Sequence, residues 1–156
     1  MGKKKRIAIV ITSILIALNL IFIWGNSCLN TSTSLEGSNA VFDTVKPVFD
    51  ATFGKDVITL NVFRKTAHFV EFCCFGFLIN LLYLLIYGVN KSKLSQIFSI
   101  GLFVAVIDES LQILSNRGAS VQDVLLDYAG YAFGVAFLFL CFLIYKSIRK
   151  KLLKTT

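Results

Sequence analysis

The sequence is short of proline, of charge and above all of acid. A single proline, Pro47, and the lack of any low-complexity tract leave little room for linkers or disordered segments. No internal repeat is visible, which excludes a solenoid or array. Charged residues are 16% of the 156, against about 25% in an average soluble domain. Acids are scarcer still, with 9 Asp and Glu facing 16 Lys and Arg for a formal net charge of +7. What is abundant is apolar: 56% of the residues are hydrophobic and the mean hydropathy is +0.74. A soluble all-α domain does not carry apolar runs of this length, so the composition indicates an integral membrane protein with one compact domain.

The apolar runs are long enough to span a bilayer, whose core needs roughly 20 apolar residues as helix. They cover residues 7–24, 66–87, 94–114 and 121–145. Trp24, Tyr83, Tyr87 and Tyr145 fall near the span ends, where an aromatic belt is expected. The predicted fold is therefore all-α, with four transmembrane helices. Between the first two spans lies the one long connection. It opens polar, with Asn26, Ser27, Asn30 and a Ser/Thr-rich run to Ser38, and then places Phe42, Val45, Phe49 and Phe53 at helical spacing. That pattern predicts an outer amphipathic helix, kinked or broken at Pro47. It would lie on the membrane surface or fold over the bundle, and either placement covers the polar residues described below.

Basic residues set the orientation. Lys3, Lys4, Lys5 and Arg6 precede the first span, Lys91 and Lys93 separate the second from the third, and Lys146, Arg149, Lys150, Lys151 and Lys154 follow the fourth. These segments contain no acid, and the positive-inside rule puts both termini in the cytoplasm. The same distribution accounts for most of the net positive charge, so no nucleic-acid partner is needed, and anionic membrane lipids are the expected partner of the basic tail. The first span is longer than a signal-peptide core, and Trp24-Gly25-Asn26-Ser27 is a poor cleavage site, so the span is expected to be retained. Cys28, Cys73, Cys74 and Cys141 match no zinc spacing and read as buried, inert thiols.

Three polar signatures interrupt the apolar runs: Arg64-Lys65-x-Ala67-His68-x-x-Glu71, Asp108-Glu109-x-x-Gln112, and Arg117-x-x-Ser120-x-x-Asp123-x-x-x-Asp127. Ionisable groups at membrane depth are costly and by default mark a site with partners. The topology brings all three to the outer leaflet. Helical spacing places Arg64, His68, Glu71 and Phe75 on one stripe, Asp108 one turn from Gln112, and Asp123, Asp127, Gly130 and Gly134 on one face. Gly130-x-x-x-Gly134 permits close helix approach, within the bundle rather than between copies. Bland roles exist for each residue. Ser120-x-x-Asp123 resembles a capping box, and Arg64 and Lys65 are placed to mark the membrane boundary or pair with Glu71.

Glu71, Asp108, Glu109, Asp123 and Asp127 outnumber Arg64, Lys65 and Arg117. In low dielectric such a cluster must take up protons, recruit a cation or pair with a protonated His68. A His beside several carboxylates can hold a divalent metal, although His-x-x-Glu alone names none, and no cofactor is legible. Acid–base chemistry by paired carboxylates is the other use of such a set.

Arg64-Lys65-Thr66-Ala67-His68-Phe69-Val70-Glu71-Phe72, Asp108-Glu109-Ser110-Leu111-Gln112, and Arg117 with Ser120-Val121-Gln122-Asp123-Val124-Leu125-Leu126 resemble, in order and spacing, the signatures of the VanZ-like family. Asn26-Ser27 and the polar stretch after it resemble that family's first connection. Phe72 stands where Tyr is common in the family, and Asp127 where Asn is common. The resemblance implies a multi-pass protein of the bacterial plasma membrane and cell envelope, associated in the family's namesake with resistance to teicoplanin-type glycopeptides. Two classes of function follow. One is a binding or modifying protein acting on a lipid-linked wall precursor, with Arg64, Lys65, Gln112, Arg117 and Asp127 contacting the ligand. The other is an intramembrane hydrolase or transferase on a lipid phosphate or acyl group, with His68, Glu71, Asp108, Glu109 and Asp123 as its catalytic set. No Ser or Cys lies in a nucleophile motif, so an enzyme of this kind would use water or a substrate group to attack.

Overall fold

A computed structural model of the full chain describes residues 2–89, 93–118 and 120–155. Among these are five helices in the order α1 (Lys3–Ser27), α2 (Thr31–Phe53), α3 (Leu60–Tyr87), α4 (Leu94–Leu114) and α5 (Val121–Thr155). All but α2 are long and apolar enough to cross a membrane. The protein is therefore an all-helical, multi-pass membrane protein. Of the residues that set its expected orientation, Lys91 and the side chains of Lys151 and Lys154 lie outside the described residues.

The helices outrun the apolar stretches that announce them. α1 begins within the basic run and continues through Gly25 to Ser27, so its last turn carries Asn26 and Ser27. α3 begins at Leu60 and holds Arg64 and Lys65 on its second turn, with the Thr59 hydroxyl capping it by accepting from Val62 N–H at 3.3 Å. α5 continues well past Tyr145, because its basic C-terminal residues are good helix formers.

α2 departs furthest from expectation. The Ser/Thr-rich run is helical, because the Asn30 side chain caps it by accepting from Thr33 N–H at 3.0 Å. The helix is also unbroken at Pro47. Phe42 and Phe49 seat it on Phe63 of α3, with ring centroids 5.4 and 6.2 Å apart.

The bundle is organised around α3 and α5, its most extensively packed pair. Glycine makes their approach possible. A Cβ on Gly130 would run into the Phe69 carbonyl, one on Gly134 into the Cys73 carbonyl, and one on Gly76 into the Tyr131 carbonyl. The Gly130/Gly134 pair thus packs within the chain. Tyr131 is fully buried beside Gly101, with its ring 5.5 Å from Phe75, and its hydroxyl donates to the Ile97 carbonyl at 2.7 Å. That bond, with Asn80 Nδ2 donating to the Val135 carbonyl at 2.7 Å, satisfies buried polar groups across helix interfaces.

Two expectations need correction. The four cysteines are free, but Cys28, Cys74 and Cys141 are exposed on the outside of the bundle rather than buried within it. Trp24 and Tyr83 pack against the core, leaving Tyr87 and Tyr145 as exposed aromatics near the span ends.

Candidate functional site

The site lies where the C-terminal ends of α1 and α4 meet the N-terminal ends of α3 and α5. Asp108 is its innermost group and is fully buried. The Ser27 hydroxyl donates to Asp108 Oδ1 at 2.6 Å, and Gln112 Nε2 donates to Oδ2 at 2.9 Å. Each carboxylate oxygen therefore has a neutral donor, and no cationic group is spent on it.

The turn between α4 and α5 sets the next layer. Asn116 sits at φ 56° after the end of α4, a left-handed position that Asn tolerates. Its N–H donates to the Ile113 carbonyl at 3.1 Å, and Arg117 N–H donates to the Gln112 carbonyl at 3.0 Å. This Schellman closure fixes the backbone of Arg117. The Arg117 guanidinium then donates to the Asn26 carbonyl at 3.2 Å, and the Thr31 hydroxyl donates to the Asn116 carbonyl at 3.0 Å.

The start of α5 is capped differently from the box its spacing suggests. The Ser120 hydroxyl accepts from Gln122 N–H at 3.0 Å, but the Ser120 N–H is taken by Glu109 Oε1 of α4 at 2.6 Å. Asp123 is thereby left to pair with Lys65 of α3 at 2.7 Å, so Lys65 pairs with Asp123 rather than with Glu71. Glu109 is 5% exposed, lines neither cavity described below and holds the α4–α5 turn; its Oε2 is buried with no partner among the described residues.

Two cavities open on this framework. One, of about 200 Å³, lies between α3 and α5 and is lined by Arg64, Lys65, His68, Gln112, Arg117, Asp123 and Asp127. The other, of about 330 Å³, lies under α2. Apolar Phe22, Leu29, Val41 and Phe63 line it together with Arg64, His68, Glu71 and Arg117. Arg64, His68 and Arg117 belong to both. Neither guanidinium is paired with a carboxylate among the described residues, although five acids lie nearby. Burial and the neighbouring Arg64 guanidinium push the Arg117 pKa below its ordinary value, against the pull of Asp108 and Glu109. A guanidinium remains charged regardless. His68 Nδ1 and Glu71 Oε2 are buried without a partner among the described residues. Ligand-capable atoms of His68, Asp108 and Asp127 all lie within 4.8 Å of one another.

A VanZ/LLP1 family model matches residues 7–145. The chain belongs to this family. The match takes in all three polar signatures and nearly the whole chain. No curated protein and no solved structure matches it significantly. The ten residues expected to form the site in this VanZ-family chain gather at one end of the bundle, but in two tiers. Arg64, Lys65, His68, Gln112, Arg117, Asp123 and Asp127 line the α3–α5 cavity, Glu71 lines the one under α2, and Asp108 and Glu109 lie behind them. Sequence reasoning assigned no role to Ser27, Asn26 or Asn116. Only Asn116 carried a local signal, as a left-handed helix-ending residue. The bonds of Ser27 and Asn26 depend on how α1 is rotated against α4.

Proposed function

We propose that this VanZ-family protein binds the phosphorylated headgroup of a lipid-linked cell-wall precursor at the outer leaflet of a bacterial plasma membrane, lowering the access of teicoplanin-type glycopeptides to it. One observation carries the reading. Arg64 and Arg117, neither paired with an acid among the described residues, stand where a polar cavity adjoins a more apolar one. Two guanidiniums side by side call for an anion, and phosphate oxygens match their fork of donors. The apolar lining under α2 suits the first segment of a lipid chain. The orientation has its own support: the basic ends Lys3–Arg6 and Lys146–Lys150 lie at the opposite end of the bundle, as a cytoplasmic face requires.

Binding of a polyprenyl phosphate and of the matching uncharged polyprenol to the purified chain tests this. Wild type is expected to prefer the phosphate. Arg64→Gln and Arg117→Gln should each lose about 1.5–3 kcal/mol, or roughly 10- to 100-fold, as the loss of a charge-assisted bond implies. Equal affinity for both lipids would refute the reading. In a Gram-positive host, the same variants at matched membrane levels are expected to abolish any protection against teicoplanin that wild type confers.

A second reading, an intramembrane hydrolase or transferase, is favoured by the unpartnered His68 Nδ1 and Glu71 Oε2 beside the cavities. Such groups are free to exchange protons with a bound ligand. Under that reading Glu71→Gln abolishes turnover of the lipid but leaves its binding intact.

A further inference from the structure

We propose that His68, Asp108 and Asp127 form a binding site for one divalent first-row transition ion. Their ligand-capable atoms lie within 4.8 Å of one another, as donors around a single ion must. The three come from α3, α4 and α5, so the site exists only in the assembled bundle.

The state of Asp127 points to a ligand. It is 2% exposed, lines the α3–α5 cavity and makes no hydrogen bond or ion pair among the described residues. A carboxylate that faces a cavity at this depth, with no cation paired to it among the described residues, is neutralised by a proton or by a bound cation. Of the nearby fixed charges, Lys65 pairs with Asp123 and Arg117 donates to the Asn26 carbonyl, while Arg64 lines the same cavity and pairs with no acid among the described residues. His68 Nδ1 is buried and likewise without a partner among the described residues.

Asp108 has the surroundings of a metal ligand. Ser27 and Gln112 each donate to one of its oxygens, which restrains the carboxylate and leaves each oxygen a second lone pair for a ligand. Outer donors of this kind orient ligating carboxylates in metal sites. One imidazole nitrogen with two carboxylates suits zinc or manganese better than magnesium, which favours an all-oxygen shell rich in water. The cavity leaves room for water or a ligand atom to complete the coordination.

The test uses the full chain in detergent micelles, stripped with chelator, carrying no histidine tag and free of added lipid. It therefore fails or succeeds independently of the anion-binding reading. Equilibrium dialysis against Zn²⁺ and Mn²⁺, with magnesium in excess, is expected to find one transition ion per chain. Asp127→Asn and His68→Gln should weaken binding by about tenfold or more, while exposed Glu36→Gln binds as wild type. X-ray absorption of the zinc-loaded wild type is expected to show nitrogen and oxygen donors without sulfur, and needs no variant to fold. Absence of stoichiometric binding would mean that a proton neutralises Asp127 and would overturn the proposal. Binding insensitive to both variants, or a sulfur donor in the spectrum, would overturn it equally.

Discussion

At the scale of single residues, neutral donors hold the buried carboxylates Asp108 and Glu109. Ser27→Ala removes the 2.6 Å bond to fully buried Asp108 and adds no charge. We expect it to lower stability by about 1–2 kcal/mol, measured by thermal or denaturant unfolding in detergent. An unchanged stability would mean that Asp108 does not depend on the hydroxyl. The Lys65–Asp123 pair is a contrast. Its side chains are 43% and 31% exposed, so a double-mutant cycle should give a coupling below about 1 kcal/mol despite the 2.7 Å distance. Lys65 and Asp123 thus shape the rim of the cavity more than they hold the fold. Arg64, with no paired acid among the described residues, is the residue whose loss should be felt by a ligand rather than by the bundle, whereas loss of Arg117 also frees the Asn26 carbonyl.

At the scale of elements, the α4–α5 turn and the α3–α5 seam position the site. Glu109 replaces the capping-box acid by reaching Ser120 N–H from another helix. Glu109→Gln keeps an acceptor oxygen there and should remain close to wild type in stability. Glu109→Ala orphans the N–H and should cost about 1–3 kcal/mol. If the Gln variant were as damaging as the Ala variant, the charge of Glu109 would be doing more than closing the turn. Along the seam, Gly134→Ala places a methyl against the Cys73 carbonyl, where backbone has to move. A loss of about 1–3 kcal/mol is expected. Gly37→Ala in α2 meets open space and should be neutral or stabilising by up to roughly 1 kcal/mol, so it serves as the control for helix propensity.

At the scale of the whole molecule, the expected outward orientation makes a prediction of its own. Cys28 is exposed at the site end, whereas Cys73, Cys74 and Cys141 lie within the membrane-spanning helices. A variant retaining Cys28 alone should be labelled in intact cells by a membrane-impermeant maleimide; labelling only after lysis would invert the topology. The four spans and the gathering of His68, Asp108 and Asp123 at one end were legible in the sequence, because apolar run length and the alternation of helix direction are one-dimensional properties. The helical start of α2 in the Ser/Thr-rich run was not legible in the sequence, because the Asn30 cap outweighs the weak helix preference of the residues after it. Only the packed bundle decided that Ser27 serves Asp108, that Lys65 takes Asp123 and not Glu71, and that Arg64 and Arg117 stand without a paired acid among the described residues. Those choices depend on the rotation and separation of helices far apart in the chain. Gly76, Gly101, Gly130 and Gly134 set them by letting backbone and the Tyr131 ring approach where a methyl would collide.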